Sequence, residues 1–265
     1  MLERKKFEIS TLTDVVADIS EKLESTVDAY LIGGFAMIQH GAKVSTKDID
    51  VVFGSAASKD RFESVLFEMG FEKVKVFSGP YEKMEASAIL QGPGGMRFDV
   101  FVKVVCNCLS LTDGMKERAR LLSLEGNLNM HVLSREDIFL FKSVTGRDDD
   151  LADMAALSGY GLDWDVIDEE LKNQDDHWHW LTHHYVKLTE LERVHGVASP
   201  LIGRLRRDAE IAAGIAVLLP HLKDSLNVVY ASQLMKDDEE FSSAVLEKMV
   251  ELGLAEKRQY SYYPK

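Results

Sequence analysis

The stretch Leu31–Phe53, LIGGFAMIQHGAKVSTKDIDVVF, decides how the first half of this 265-residue chain is interpreted. Its apolar beginning stops at Gly33-Gly34, which is typical of a buried strand that ends in a tight turn. Residues 35–40 predict a short helix, and the run DIDVVF over residues 48–53 predicts a second strand. Strand, turn, short helix and strand are the beginning of an α/β module.

Two carboxylates, Asp48 and Asp50, stand two residues apart on the predicted second strand. Because successive strand residues alternate between faces, both are expected on the same face. Like charges so close repel each other unless a cation neutralises them, and Mg²⁺ binds carboxylate oxygens together with substrate phosphates. Gly33 and Gly34 lack a Cβ, so the backbone there can approach a phosphate at the start of the following helix. The combination predicts a nucleoside-triphosphate site.

A third carboxylate, Asp99, lies on a strand predicted over residues 96–105. Alternation places Asp99 on the face opposite to the expected core positions, which are Phe98, Val100 and Val102. If this strand lies beside the strand of Asp48 and Asp50, three carboxylates can converge on two metal ions. Arg97 and Lys103 share the face of Asp99, so an ion pair on a solvated sheet surface is the alternative interpretation.

Taken in order, these residues resemble the nucleotidyltransferase fold of the DNA polymerase β-like superfamily. The segment HGAKVSTKDID, residues 40–50, is similar to a pattern of its small prokaryotic and archaeal members, with Lys43 where arginine is common. The matching positions are Gly41, Thr46, Asp48 and Asp50. The resemblance covers residues 28–158 and implies a mixed-sheet α/β (α+β) domain. Separately, Gly33-Gly34 could be only a tight turn, and Asp48 could belong to a turn before the strand.

A second stretch, KSVTGRDDDLAD over residues 142–153, resembles the K…R-x-x-D-x-x-D helical motif of nucleotidyltransferase-like toxins of the abortive-infection and toxin–antitoxin types. By this resemblance, Lys142 and Arg147 reach the triphosphate or brace the acidic cluster; ordinary surface charges are the alternative. The adjacent acids favour a helix N-terminus through the helix dipole. The nucleotide-binding set implied by the resemblance is Gly33, Gly34, Lys43, Thr46, Lys142, Arg147, Asp150 and Asp153.

The resemblance implies an enzyme that uses Mg²⁺ or Mn²⁺ to transfer a nucleoside monophosphate from an NTP to an acceptor hydroxyl. The acceptor is an RNA 3′ end, a protein or a small molecule. Asp48 and Asp50 would bind both metal ions, and Asp99 would bind the ion that lowers the acceptor's pKa. Gly33 and Gly34 would hold the β- and γ-phosphates. The alternative is a non-catalytic binding or regulatory protein with this fold, such as a toxin–antitoxin partner or a transcription-related module.

The net charge of −13 is distributed unevenly along the chain. Residues 1–130 hold 16 Lys and Arg against 19 Asp and Glu, whereas residues 131–265 hold 15 against 25. Duplex-DNA binding requires a basic face, so we expect duplex DNA to be a poor ligand. The cations expected around the candidate site are Lys43, Lys47, Arg97, Lys142 and Arg147. No apolar run has the length of a membrane span, which predicts no membrane partner.

The cysteine content and the N-terminal sequence indicate the cellular compartment in which the protein is expected. Cys106 and Cys108 suit neither a disulfide framework nor a four-ligand zinc site. The first residues, MLERKK, do not resemble a signal peptide. Together these features predict a cytoplasmic protein.

Three domains are predicted: a nucleotidyltransferase-like α/β domain over residues 1–130, a helical domain over 131–200 and a winged-helix-like domain over 201–265. In the last domain, a helix over 239–252 occupies the place of a recognition helix. This helix follows the acidic run DDEE over residues 237–240, which disfavours contact with a DNA groove. A protein partner or a second copy of the chain is the expected contact of the C-terminal half.

Histidines cluster over residues 175–184, DDHWHWLTHH. His179 and His183 have the i,i+4 spacing that can chelate zinc on a helix. No cysteine lies nearby and no third ligand is evident beyond Asp175 or Asp176. A polar or aromatic contact surface is therefore the favoured interpretation.

Overall fold

The structure is a computed structural model that describes residues 6–74, 88–105, 108–122, 125–145, 149–175, 177–223 and 225–265. The chain divides into two compact units. The first comprises Met1–Asp175 and Glu190–Val197, and the second comprises Asp176–Thr189 and Ala198–Lys265. Residues 131–175 therefore fold with the first 130 residues, and the division differs from the three domains expected from sequence. The physical reason is that residue 130 lies in the middle of a strand of the central sheet.

The strands of the described residues are short. They are β1 (Phe7–Glu8), β2 (Val27–Ile32), β3 (Ser45–Thr46), β4 (Ile49–Phe53), β5 (Glu72–Lys73), β6 (Ala88–Gln91), β7 (Arg97–Val102), β8 (Val104–Val105), β9 (Leu109–Ser110), β10 (Arg120–Leu121), β11 (Leu128–Val132), β12 (Ala255–Arg258) and β13 (Ser261–Pro264). Asp48 precedes β4 rather than lying in it, as the turn interpretation allowed.

The helices of the described residues include those predicted over residues 35–40 and 239–252. They are α1 (Ile9–Lys22), α2 (Gly33–Gln39), α3 (Ala56–Glu68), α4 (Asp113–Arg118), α5 (Arg135–Val144), α6 (Asp149–Ser158), α7 (Trp164–Lys172), α8 (His177–His195), α9 (Leu201–Leu218), α10 (Val228–Met235) and α11 (Glu239–Glu251). At the start of α5, Ser134 Oγ accepts a hydrogen bond from the backbone N–H of Asp137 at 3.1 Å, which caps the N-terminus of the helix.

A mixed sheet forms the centre of the first unit, in the order β10-β11-β2-β4-β7-β6-β5. Strand β11 runs parallel to β2, β2 antiparallel to β4, and β4 parallel to β7. Strands β2 and β4 are therefore central; every residue of β4 is buried, whereas Asp28 of β2 is exposed. This arrangement places the end of β2 next to the beginning of β4, and the beginning of β4 next to β7.

Strand β7 is buried on both of its faces. Phe98 and Val100 are fully buried, as expected, but Phe101 is also only 1% exposed although it lies on the face of Asp99. The alternative interpretation of a solvated face is wrong for this strand, because Phe101 and Asp99 on that face are both buried. The face that carries Asp99 is consequently an interior environment.

The second unit has its own apolar core, made by residues of α9, α10, α11 and the β12–β13 hairpin. At the crossing of α9 and α11, a Cβ on Gly214 would lie 2.7 Å from Val245 Cγ2, so the two helices pack closely. Two helices followed by a hairpin agree with the predicted order of elements, and the winged-helix interpretation stays a prediction. In the part of the chain that the structure describes, no helix is both long and apolar enough to cross a bilayer.

Candidate active site

The site is built around the junction of β2 and α2. Strand β2 ends at Ile32, which pairs with Asp50 on β4, and the chain turns into α2 at Gly33 with φ +62°. A Cβ on Gly33 would lie 2.1 Å from Asp50 Oδ2 and 2.7 Å from its carboxyl carbon. Glycine is therefore required here for two reasons, the left-handed backbone and the close approach of the Asp50 carboxylate.

The second glycine makes room for a hydroxyl. A Cβ on Gly34 would lie 2.3 Å from Thr46 Oγ1. The same hydroxyl donates a 3.4 Å hydrogen bond to Asp48 Oδ1. Thr46 thus brings Asp48 towards the beginning of α2, so the segment that follows α2 folds back onto its first residues.

Asp50 and Asp99 are direct neighbours in the sheet. They are register partners on the parallel strands β4 and β7, so their side chains lie on the same face about 5 Å apart at the backbone. Asp50 is 8% exposed and Asp99 is 1% exposed. The strand adjacency on which the sequence argument depended is present, and it brings two buried carboxylates together.

Asp99 is bound by Arg97, which lies two residues earlier on the same strand face. The guanidinium donates through Nε to Oδ1 and through Nη2 to Oδ2, the latter at 2.6 Å. The Arg97 side chain is 11% exposed and that of Asp99 is 1% exposed. The alternative pairing suggested by the sequence therefore exists, but it is buried beside Asp50 and not on a solvated surface.

Among the described residues, no group of three or more His, Cys, Asp and Glu side chains is arranged to hold a metal ion. In the histidine cluster, His183 Nδ1 lies 3.2 Å from the backbone oxygen of His179, a local contact within α8. Asp176 and Cys106 lie outside the described residues. Burial raises the pKa of the Cys108 thiol to about 11, which disfavours the thiolate that metals bind.

A network of charges, of which Asp150 is buried and the others are partly buried, connects the segment after α2 with α5 and α6. Lys43 Nζ donates to both oxygens of Asp153, at 2.8 and 2.9 Å. Lys142 Nζ contacts Asp150 at 2.9 Å and Asp153 at 2.7 Å. The hydroxyl of Thr145 donates to the second oxygen of Asp150. These two lysines and two aspartates therefore bind each other.

A comparison with protein-family models matches residues 10–192 to the family described as "Nucleotidyltransferase of unknown function (DUF6036)". The match spans more than half of the chain and includes the acidic site and the charge network. The chain belongs to this nucleotidyltransferase family. A comparison with curated proteins finds no match.

In this member of the family, the charge network shifts the pKa values of Lys142 and Asp153. Burial lowers the pKa of Lys142, but the carboxylates of Asp150 and Asp153 outweigh that effect and raise it above its ordinary value. Burial raises the pKa of Asp153, but Lys142 and Lys43 outweigh it, so the net pKa is lowered. Lys142 and Asp153 are thus held in their charged forms.

The structure places the site residues predicted from the sequence in two groups. Gly33, Gly34, Thr46, Asp48, Asp50 and Asp99 lie around the β2–α2 junction, and Lys43, Lys142, Asp150 and Asp153 form the charge network. Arg147 lies outside the described residues. Thr145 was missed, because a hydroxyl between two helices carries no pattern of its own. Its position five residues before Asp150, at the end of α5, was the available signal.

Proposed function

We propose that this protein is a divalent-cation-dependent nucleotidyltransferase that transfers a nucleoside monophosphate from an NTP to an acceptor hydroxyl. The observation that carries the proposal is the in-register pair of Asp50 and Asp99 beside Gly33, with Asp48 held close by Thr46. Membership of a nucleotidyltransferase family supports the same chemistry.

The donor chemistry fits Mg²⁺ or Mn²⁺ at Asp48 and Asp50. Such ions commonly use one or two carboxylates and complete their octahedron with phosphate oxygens and water. When bound, the ion would supply positive charge that offsets the negative charge of the polyphosphate oxygens at the reacting phosphorus. The sequence expectation places Asp99 at the ion that lowers the acceptor's pKa, and in the structure Arg97 also donates to both oxygens of its carboxylate.

The reaction needs little covalent chemistry from the protein. The acceptor oxygen attacks the α-phosphorus, a new P–O bond forms, the bond to the bridging oxygen breaks, and pyrophosphate leaves with its electron pair. The hydroxyl proton passes to solvent or to a carboxylate. This chain contributes position: the rigid β2–α2 junction fixes Asp50, and the Thr46 hydroxyl orients Asp48.

A second candidate, a nucleotide-binding protein without transferase activity, is favoured by one observation. Both oxygens of Asp99 accept hydrogen bonds from Arg97, so a residue expected to assist the acceptor is already paired. In this function, binding of the nucleotide would act as a signal, and the nucleotide would not be chemically converted. The acidic second half of the chain would then contact a protein partner.

Calorimetric titration with ATP, GTP, CTP and UTP in the presence of Mg²⁺ tests both candidates, together with a pyrophosphate-release assay. Wild-type protein is expected to bind at least one NTP and to release pyrophosphate when RNA, protein or small-molecule acceptors are supplied. Asp50→Asn should weaken binding by roughly tenfold or more, because it removes one charged oxygen donor. Asp60→Asn, at an exposed carboxylate, is the matched control and should bind normally.

The results of these experiments distinguish the two candidate functions. Binding without pyrophosphate release from any acceptor would favour the second candidate. Equal NTP affinity in the Asp50→Asn and wild-type proteins would reject the site itself. As an independent readout, Mg²⁺ or Mn²⁺ should raise the melting temperature of the wild type by mass action, and Asp50→Asn should abolish that increase.

A further inference from the structure

Residues 40–44, the connecting segment, join the end of α2 to β3. The segment leads to Thr46, whose hydroxyl donates to Asp48 and occupies the place where a Cβ of Gly34 would lie. Strand β3 has only two residues, and they pair with β1, so the strand alone restrains this part of the chain little. The position of Thr46, and through it that of Asp48, therefore depends on what holds the connecting segment.

Tyr160, two residues after the end of α6, contacts the connecting segment at its first turn. The phenol hydroxyl donates to the backbone oxygen of Gly41. Gly41 ends α2 in the left-handed conformation, with φ +75°, and its own N–H donates to the carbonyl of Ile38 at 2.9 Å. Because this turn closes the helix, the bond from Tyr160 fixes the point at which the chain leaves α2.

Arg135 restrains Tyr160 from the opposite direction. At the start of α5, its guanidinium donates through Nη1 to the backbone oxygen of Tyr160 at 3.0 Å. The guanidinium carbon lies 5.8 Å from the centroid of the phenol ring, within the range in which a cation is attracted to an aromatic face. Tyr160 is therefore placed by α5, although its residue surface is 47% exposed.

Two further contacts attach the connecting segment to the same part of the first unit. His40 Nε2 lies 2.7 Å from the backbone oxygen of Leu133, and Lys43 binds both carboxylate oxygens of Asp153. Three of the five residues of the segment are thus attached to residues 133–160, across 93, 119 and 110 positions of the chain. The contacts connect α5 and α6 with the segment that precedes Thr46.

We propose that Tyr160 is a positioning residue of the metal site. Its hydroxyl fixes the connecting segment, and the segment in turn places Thr46 and Asp48 for the divalent cation. Tyr160 acts through the backbone of Gly41 and does not touch the ion. The inference rests on the proposed function, because it takes Asp48 as a ligand of the cation, and it adds a residue outside the set predicted from the sequence.

Mn²⁺ binding to the full-length protein, without nucleotide, tests the proposal through the electron paramagnetic resonance signal of free Mn²⁺. Tyr160→Phe removes the hydroxyl and keeps the ring beside Arg135. Loss of one hydrogen bond that favours the binding arrangement should weaken Mn²⁺ binding about three- to tenfold. Tyr230→Phe is the matched control, because Tyr230 lies in the second unit and is 45% exposed. The control should bind Mn²⁺ as the wild type does.

A double-mutant cycle with Thr46→Val separates positioning from a general structural role. Thr46→Val removes the hydroxyl that orients Asp48, so the path from Tyr160 to the ion is interrupted. In this background Tyr160→Phe should change Mn²⁺ affinity by less than about twofold, because the two residues are coupled. Circular dichroism confirms that each variant is folded. If Thr46→Val does not fold, the comparison of Tyr160→Phe with Tyr230→Phe decides alone.

The results that would overturn the inference can be told apart from failure of the proposed function. Unchanged Mn²⁺ affinity in Tyr160→Phe, with weakened binding in Asp50→Asn, would reject the inference alone. An equal loss with and without the Thr46 hydroxyl would reject it too, because Tyr160 would then act independently of Thr46. If the wild type binds no Mn²⁺ at millimolar concentration, the metal-dependent function fails and the inference fails with it.

Discussion

Replacing Gly33 with alanine tests how the β2–α2 junction holds the Asp50 carboxylate. The new Cβ would lie 2.1 Å from Asp50 Oδ2, 2.7 Å from its carboxyl carbon and 3.1 Å from its Cβ. These distances are far below van der Waals contact, so the Asp50 side chain must rotate away or the backbone must shift. The backbone at Gly33 also has φ +62°, which disfavours any residue with a Cβ.

The expected loss of stability has two parts. The left-handed backbone costs about 1–2 kcal/mol for a residue with a Cβ. Forcing an additional carbon into the packed junction costs about 1–3 kcal/mol more, so the total is roughly 2–5 kcal/mol. Gly161→Ala is the matched control, because Gly161 has φ +74° and a Cβ added there would meet no atom within 4 Å. The control variant should lose only the stability that the left-handed backbone costs.

Urea unfolding followed by tryptophan fluorescence and circular dichroism measures both losses. Trp164 lies 5.4 Å from Phe139, centroid to centroid, and therefore reports on the first unit. Mn²⁺ affinity, measured on the same samples, should fall for Gly33→Ala, because the Asp50 carboxylate is displaced, and stay unchanged for Gly161→Ala. Equal losses of stability in the two variants, with unchanged Mn²⁺ affinity, would refute the idea that Gly33 exists to accommodate Asp50.

Three further predictions concern the charges of the first unit and of the whole chain. Lys142→Met should lower the free energy of unfolding by about 3–5 kcal/mol, because it leaves the buried Asp150 carboxylate without its cation. Lys116→Met, at an exposed ion pair with Asp113, should cost less than about 1 kcal/mol. Similar losses in urea unfolding would contradict this. Asp153 has a lowered pKa in the folded state, so its stabilisation is present above the unfolded pKa of about 4 and is lost as the pH falls through the folded value. The difference in the free energy of unfolding between wild type and Asp153→Asn should therefore become smaller below about pH 4. A difference that stays constant from neutral to acid pH would contradict the idea that the ionised Asp153 stabilises the fold. Duplex DNA should bind weakly with a shallow salt dependence, and a loss of affinity of about 10³-fold between about 50 and 200 mM salt would show that several phosphates are engaged.

Local pattern was sufficient for the core of the candidate site. The apolar run before Gly33, the glycine pair and the alternation around Asp50 are properties of neighbouring residues, so they predicted β2, α2 and β4 directly. Helices were also predicted well, because an amphipathic repeat over about three or more turns leaves a clear signal. Short strands were predicted less well. Strand β11 was missed, and a domain boundary was placed inside it. The reason is that β11 has only five residues and pairs with β2, which is distant in the sequence, so its local pattern is weak.

The sequence by itself determined which chemical groups are present, that Asp48 and Asp50 lie close together, and which family the pattern resembles. Only the tertiary structure decided which charges meet. Lys43 pairs with Asp153 across 110 positions of the chain, and Asp50 aligns with Asp99 through the register of β4 and β7. It also showed that Gly33 and Gly34 make room for Asp50 and Thr46. The physical reason is that register and helix packing are set by burial of the whole apolar surface, which no local spacing encodes.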